Sequence, residues 1–363
     1  MSGSQAQTPA SLAWLVVFRD PQQALAWTTA EWGRVVPLAR RLRLLSRLAA
    51  CLEAAGLLDQ VPEHPRRHLV GERRLSDWRV QAVTWGIECI ARTLDGSTHP
   101  LVLLKGAAYL GQKLSIAAGR QPSDLDILVP KAHLPEVLGR LQEDGWDSGP
   151  IDAHDLRYYR EWSHEMPPMT HPLHRVELDL HHNILPPVAR ITVDASLLLE
   201  RIQPSIWPAW HVLHPVDQVL HSAAHLFLDS DLRDRVRDLV DLDGLFRYFG
   251  CDPGFWDELP KRAVQLGLTE PLALAVHFAE RWMHSPIPRH VQTTINAMRP
   301  SALHRVWHLP ALESALTPTA PDSVPSPRQD LAALVLLARY HYQRLPLPLL
   351  LQHAWQKFRQ RLQ

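Results

Sequence analysis

The sequence is poor in cysteine: Cys51, Cys89 and Cys251 are its only three among 363 residues, odd in number and far apart. That excludes a disulfide framework and leads us to expect reduced thiols and a cytoplasmic location. It has no surplus of either charge, with Lys plus Arg and Asp plus Glu at 38 each. Without a global field, binding to a long nucleic acid or an anionic membrane is not expected, and any such contact would have to be a local patch. Apolar runs such as 12–18 fall well short of the roughly 20 residues that cross a bilayer. Residues 1–9 lack the charged start, apolar run and small-residue cleavage site of a secretion signal, so neither membrane insertion nor secretion is expected.

What is present describes a globular chain. Hydrophobic residues make up 46% and charged residues 21%, and 363 residues are enough for more than one folding unit. The pattern divides into an N-terminal helical region over 1–95, a central region over 96–200 and a C-terminal helical region over 201–363. In the first, apolar residues recur at three- and four-residue spacing, as in Val36, Leu38, Leu42, Leu45 and Leu48. Its arginines either face solvent on amphipathic helices, the simpler reading, or mark a patch for a phosphate-rich partner. Trp14, Trp27, Trp32, Trp78 and Trp85 are read mainly as core.

The central region changes period. Leu101 to Leu104 is a short apolar run bounded by turn residues, as in a buried strand, and a helix is expected over 107–118. Residues 124–129 alternate, with Leu125, Ile127 and Val129 on one face and Asp124 and Asp126 on the other. After a helix over 134–144 and a connection rich in His, Pro and aromatics, 175–181 alternates again, with Val176, Leu178 and Leu180 opposite Glu177, Asp179 and His181. Beyond Pro187 the period is helical over 215–228, 232–248, 264–284 and 331–343, with a Pro- and Ser-rich surface linker over 317–328 and a terminal segment rich in Leu and basic residues.

Two carboxylates at i and i+2 on a strand sit about 6–7 Å apart on one face, a spacing that holds divalent cations between them. Asp124 and Asp126, with Asp179 on a neighbouring strand as third ligand or base and Glu177 in reserve, suit two Mg²⁺ ions, with Mn²⁺ as the substitute. Lys105 and Gly106 follow the first strand and open a helix, where a close backbone approach and helix N-terminus favour an anion. Lys105 would add a point charge, and Arg120 could grip a phosphate with two bonds.

Leu104-Lys105-Gly106-Ala107, then Arg120 followed by Ser123-Asp124-Leu125-Asp126-Ile127-Leu128-Val129, then Glu177-Leu178-Asp179-Leu180-His181 resemble the bacterial nucleotidyltransferases called nucleotidyltransferase family 5, within the DNA polymerase β superfamily. The resemblance spans roughly 30–250. It implies catalytic, metal-binding roles for Asp124, Asp126 and Asp179, and nucleotide contacts at Lys105, Gly106, Arg120, Ser123 and His181. Ala107 stands where the wider superfamily has Ser, and Gly106 lies farther from Asp124 than in the common pattern.

The remaining motifs carry two readings each. His174, His181 and His182 have no distinctive zinc spacing; His181 shares the face of Asp179, and His182 points away as a structural residue. His221, His225 and Asp229 share a helix face, which the resemblance places beside the nucleotide pocket in preference to zinc. Arg233, Arg237 and Asp241, also four apart, aim at a triphosphate or form an ion-pair ladder, the safer choice for any single residue.

The expected fold is α+β: a small mixed β-sheet nucleotidyltransferase core flanked by N- and C-terminal helical regions. The expected reaction moves a nucleoside monophosphate from an NTP such as ATP to a hydroxyl on a small molecule, a tRNA or a protein. A non-catalytic binding or regulatory protein on the same fold and a metal-dependent glycosyltransferase are the alternatives.

Overall fold

The computed structural model describes residues 8–298, 302–320, 323–344, 346 and 348–350; the Leu- and basic-rich terminal segment read from the sequence lies mostly outside them. The N-terminal region is helical as expected: short turns over Ala10–Phe18 and Pro21–Ala26, then α1 (Thr29–Arg41), α2 (Leu45–Ala54) and the long α3 (Glu63–Thr93). Thr28 and Glu31 cap α1 reciprocally, each side chain taking up a backbone N–H of the other. The central region runs β1 (Leu101–Leu103), α4 (Lys105–Gly111), β2 (Asp124–Leu128), α5 (Leu134–Asp144), α6 (Ala153–Arg157), β3 (Met169–His171), β4 (His174–His181) and α7 (Ala195–Leu199). Two short strands, β5 (Gln203–Pro204) and β6 (Trp210–Val212), precede α8 (Pro215–Phe227), α9 (Val236–Phe249), α10 (Pro253–Gln265), α11 (Thr269–Met283), α12 (Arg289–Ala297), α13 (Ala302–Leu316) and α14 (Pro327–Arg344).

The sheet has six strands in the order β3-β4-β2-β1-β6-β5. It is mixed: β2 is parallel to β4 and antiparallel to β1, while β1 is parallel to β6. Strand β2 is therefore central, and Leu125, Ile127, Leu128 and Val129 are fully buried. α3 lies close across the face that carries Leu125, since a Cβ on Gly86 would stand 2.8 Å from Val176 and 3.8 Å from Leu125. Both strand faces are thus shielded near the centre, and the carboxylates of β2 look away from α3.

Several helices differ from their expected extents. The helix after β1 begins two residues early, at Lys105, and stops at Gly111, beyond which Lys113 turns left-handed at φ 54°. The segment 264–284 is two helices, because Gly267 adopts φ +68° between α10 and α11. Asp234, at φ 58°, delays the start of α9 to Val236. Of the five tryptophans in the N-terminal region, Trp14 and Trp32 are core and Trp27 packs edge-on against Trp32, whereas Trp78 and Trp85 are half exposed. Arginines of that region mostly pair on the surface, as Arg40 with Glu72 and Arg73 with Glu53. Arg47 is the exception and is buried. Among the described residues no helix is long and apolar enough to cross a membrane.

Candidate active site

The parallel register of β2 and β4 sets Asp126 beside Asp179 and Asp124 beside Glu177. With side chains alternating across each strand, the three aspartates share one face, and an oxygen from each lies within 4.8 Å of the other two. Glu177, held in reserve at the sequence level, is not among the three. Asp126 is the innermost, at 2% exposure, and Asp124 and Asp179 are partly open.

Two groups converge on one oxygen of Asp126. Lys105 Nζ lies 2.7 Å from Oδ1 and His181 Nε2 lies 3.0 Å from it. Burial opposes ionisation of Asp126, but the Lys105 ammonium and the His181 contact outweigh it and hold the carboxyl well below its ordinary range. Burial likewise opposes the charge on Lys105, and Asp126 overcomes it, so the ammonium is held above its ordinary value. Asp179 has no such cation against it. Burial, and then the carboxylate of Asp126, push it up to about 7. Three carboxylates this close repel one another, and a divalent cation would relieve that repulsion; the donor set, all oxygen, suits Mg²⁺. Lys105 itself has φ 45°, a left-handed conformation that a residue with a Cβ adopts at some cost.

The residues expected at the phosphates divide. Gly106 opens α4 directly under Arg120: a Cβ there would sit 2.1 Å from Arg120 Nη1. Arg120 is not free, because its Nε donates to Asp241 at 2.8 Å and its guanidinium lies over the Tyr109 ring. Burial opposes its charge and Asp241 more than restores it, raising Arg120 above its ordinary value. Ser123 Oγ donates to Asp124 Oδ1 at 3.1 Å. His181 is buried behind Asp126, at 2% exposure, on the wall of a second cavity that Asp124 does not reach.

A cavity of about 450 Å³ adjoins Asp124 and is lined by Lys105, Arg43, Arg120, Arg235 and Arg237, together with Ser123, Ser222 and Asp241. The i, i+4 pattern on α9 resolves residue by residue here. Arg233 lines the cavity but is paired with Asp330 at 2.8 Å, whereas Asp241 turns to Arg47 and Arg120. Arg237 reaches Asp238 only at 3.4 Å, and its Nη1 is buried with no hydrogen-bond partner among the described residues. Burial and the nearby Arg120 disfavour its charge. An orphaned guanidinium nitrogen in a cationic cavity is the arrangement an incoming phosphate oxygen satisfies.

On the other side of Lys105 lies a cavity of about 220 Å³, lined by His164, Glu165, His181, His221 and His225 and by apolar groups including Leu185, Ile191 and Leu228. The helix-face histidines thus stand beside the site. Burial pushes His221 down to about 3 and holds His225 well below the usual imidazole range. His182, buried too, is pushed down to about 4. His164 and Glu165 were not visible as site residues in the sequence. They arrive through an isolated bridge between Glu165 and His181, which has no periodicity to announce it.

A central mixed sheet with three carboxylates on one face, a lysine at the start of α4 and an arginine-lined cavity beside them defines a nucleotidyltransferase class of protein. The family model described as uncharacterised nucleotidyltransferase matches residues 28–284, and the chain belongs to that family. No curated protein and no solved structure shows significant similarity to it.

Proposed function

We propose that the protein transfers a nucleoside monophosphate from an NTP to a hydroxyl acceptor, releasing pyrophosphate. The observation that carries this reading is the contiguity of opposite charges. The aspartate cluster and the cavity holding the unpartnered Arg237 Nη1 meet at Asp124 and Lys105.

In this reading the triphosphate lies in the arginine-lined cavity. Arg237 and Lys105 face its oxygens, and the Asp241 carboxylate keeps Arg120 oriented from behind. Asp124, Asp126 and Asp179 would hold Mg²⁺, which would supply charge neutralisation for the transferred and leaving oxygens. Asp179, which retains a proton to about pH 7 without metal, is placed to ligate or to accept the proton of the attacking hydroxyl. His181 and Lys105 fix the rotamer of Asp126, so that its second oxygen keeps a constant direction. The acceptor would approach from the smaller, histidine-lined cavity beyond Lys105.

The test is calorimetric titration of the four non-hydrolysable NTP analogues, with and without Mg²⁺, into the native chain and into Asp124→Ala/Asp126→Ala. Mg²⁺-dependent binding of one or more analogues, abolished in the double variant, is the expected result. No binding at millimolar nucleotide would favour a non-catalytic protein on this fold. Preference for sugar nucleotides over plain NTPs would favour glycosyl transfer.

A further inference from the structure

His181 stands between two carboxylates. Its Nε2 is 3.0 Å from Asp126 Oδ1, and its Nδ1 is 3.5 Å from Glu165 Oε2. The first distance is a hydrogen bond and the second is too long for one, so Nδ1 is buried with no hydrogen-bond partner among the described residues in a side chain only 2% exposed. His164 brings a second imidazole to the same oxygen: its Nε2 is 3.6 Å from Glu165 Oε2. His164 Nδ1 is also buried without a partner among the described residues. One ligand atom from each of the three residues falls within 4.8 Å of the others.

We infer that His164, Glu165 and His181 form a site for one divalent first-row transition-metal ion of the zinc class, separate from the aspartate cluster. Two ligands on a tetrahedral zinc ion, each about 2.0–2.1 Å from it, stand roughly 3.3 Å apart, close to the separations of Glu165 from both rings. Two imidazoles and one carboxylate select such an ion over Mg²⁺ or Ca²⁺, which prefer all-oxygen surroundings. The contact with Asp126 completes the argument. When Nε2–H donates to Asp126, the tautomer leaves the Nδ1 lone pair facing Glu165, and a lone pair opposed to a carboxylate calls for a cation between them. A carboxylate orienting a ligating histidine from its far nitrogen is the usual outer support of such sites.

Among the described residues, His99, beside His133 and Glu136, is also a buried imidazole, but neither of its ring nitrogens has a hydrogen-bond partner, so no carboxylate orients it from the far side. In the cluster of Asp144, His171 and His174, both ring nitrogens of His171 already hold hydrogen-bond partners, Asp144 O and Leu173 N. At His164, Glu165 and His181 the fourth direction opens on the cavity of about 220 Å³, where water or an oxygen of a small molecule would complete the coordination. Three protein ligands with an open position make a reactive site, adjoining the proposed acceptor route. The inference does not depend on nucleotidyl transfer, because its readout needs no nucleotide.

The test is titration of metal-free, untagged full chain with Co²⁺, followed by visible d–d absorption, and metal analysis of the protein as purified. One equivalent of Co²⁺ with the intense spectrum of a tetrahedral site, displaced by one equivalent of Zn²⁺, is expected. Asp124→Asn should keep it, and His164→Ala and Glu165→Gln should each weaken binding by at least about 100-fold. Circular dichroism of each variant guards against misfolding, and anomalous scattering at the zinc edge from crystals of the native chain locates the ion independently of any variant. No tetrahedral spectrum with the native chain would overturn the inference. So would a spectrum lost in Asp124→Asn but kept in His164→Ala, or an anomalous peak at the aspartates alone.

Discussion

Arg120 and Arg47 meet on a single carboxylate: Asp241 accepts from Arg120 Nε at 2.8 Å through Oδ2 and from Arg47 Nη2 at 2.7 Å through Oδ1. The three come from the lead into β2, from α2 and from α9, so this buried knot ties both helical regions to the sheet beside the aspartate cluster. Arg47 also donates to the Ile116 carbonyl, which fixes the turn before β2. Asp241→Asn leaves two buried guanidinium groups without their anion. A loss of about 3–5 kcal/mol of folding stability is expected from urea denaturation, together with weaker NTP binding by calorimetry.

Gly106 tests the same knot from the other side. Its missing Cβ leaves the space in which Arg120 Nη1 lies, 2.1 Å from where a Cβ would be. An arginine tip usually swings away at little cost, but Arg120 is held by Asp241 and rests on Tyr109. Gly106→Ala should therefore displace Arg120 from the cavity and reduce NTP affinity about tenfold, roughly 1.4 kcal/mol. The same titration with Gly33→Ala, a helical position with open space around it, should show no change.

The pH dependence follows from Asp179. Its carboxyl ionises near pH 7 in the fold against an ordinary value of 3.8, so between those values the folded chain keeps a proton that the unfolded chain has lost. Its contribution to stability without metal is full below about pH 4, declines as pH rises and is gone above about pH 7. Divalent-ion binding must displace that proton and so runs the opposite way. Mg²⁺ affinity should rise up to about tenfold per pH unit below pH 7 and level off above it. Asp179→Asn should bind Mg²⁺ more weakly and flatten the profile, both measurable by calorimetry in buffers of different ionisation enthalpy.

The aspartates were legible because a strand has a period of two and both strands carry their acids on alternate positions. Leu125, Ile127, Val176 and Leu178 mark the buried face, and Asp124, Asp126 and Asp179 are left on the other. The parallel register that sets Asp126 beside Asp179 was not legible, since no local pattern records which residues meet across strands. β3, β5 and β6 were missed because two or three residues cannot show alternation. The partner of Asp241 was hidden for a related reason. Its four-residue spacing from Arg237 suggested a ladder along α9, whereas burial turned it toward Arg47 and Arg120, far away in sequence. Glu165 reached the site from a connection without period, and only the folded chain shows it against His181.

Lys105 is the residue for which removal should have effects of opposite sign. Its ammonium, 2.7 Å from Asp126 Oδ1, already neutralises part of the cluster and competes with a metal ion for that carboxylate. It also lines the arginine-rich cavity, where it would face phosphate oxygens. Lys105→Met keeps most of the side chain's length and removes the charge. Divalent-ion affinity without nucleotide should then rise several-fold, while NTP affinity at saturating Mg²⁺ should fall about tenfold, the usual scale for losing one charge-assisted hydrogen bond. Parallel calorimetric titrations of Mg²⁺ and of an NTP analogue measure both. If the two affinities fell together, Lys105 would be a structural prop for Asp126 without a share in the phosphates, and the nucleotide would have to be placed deeper among the arginines of α9.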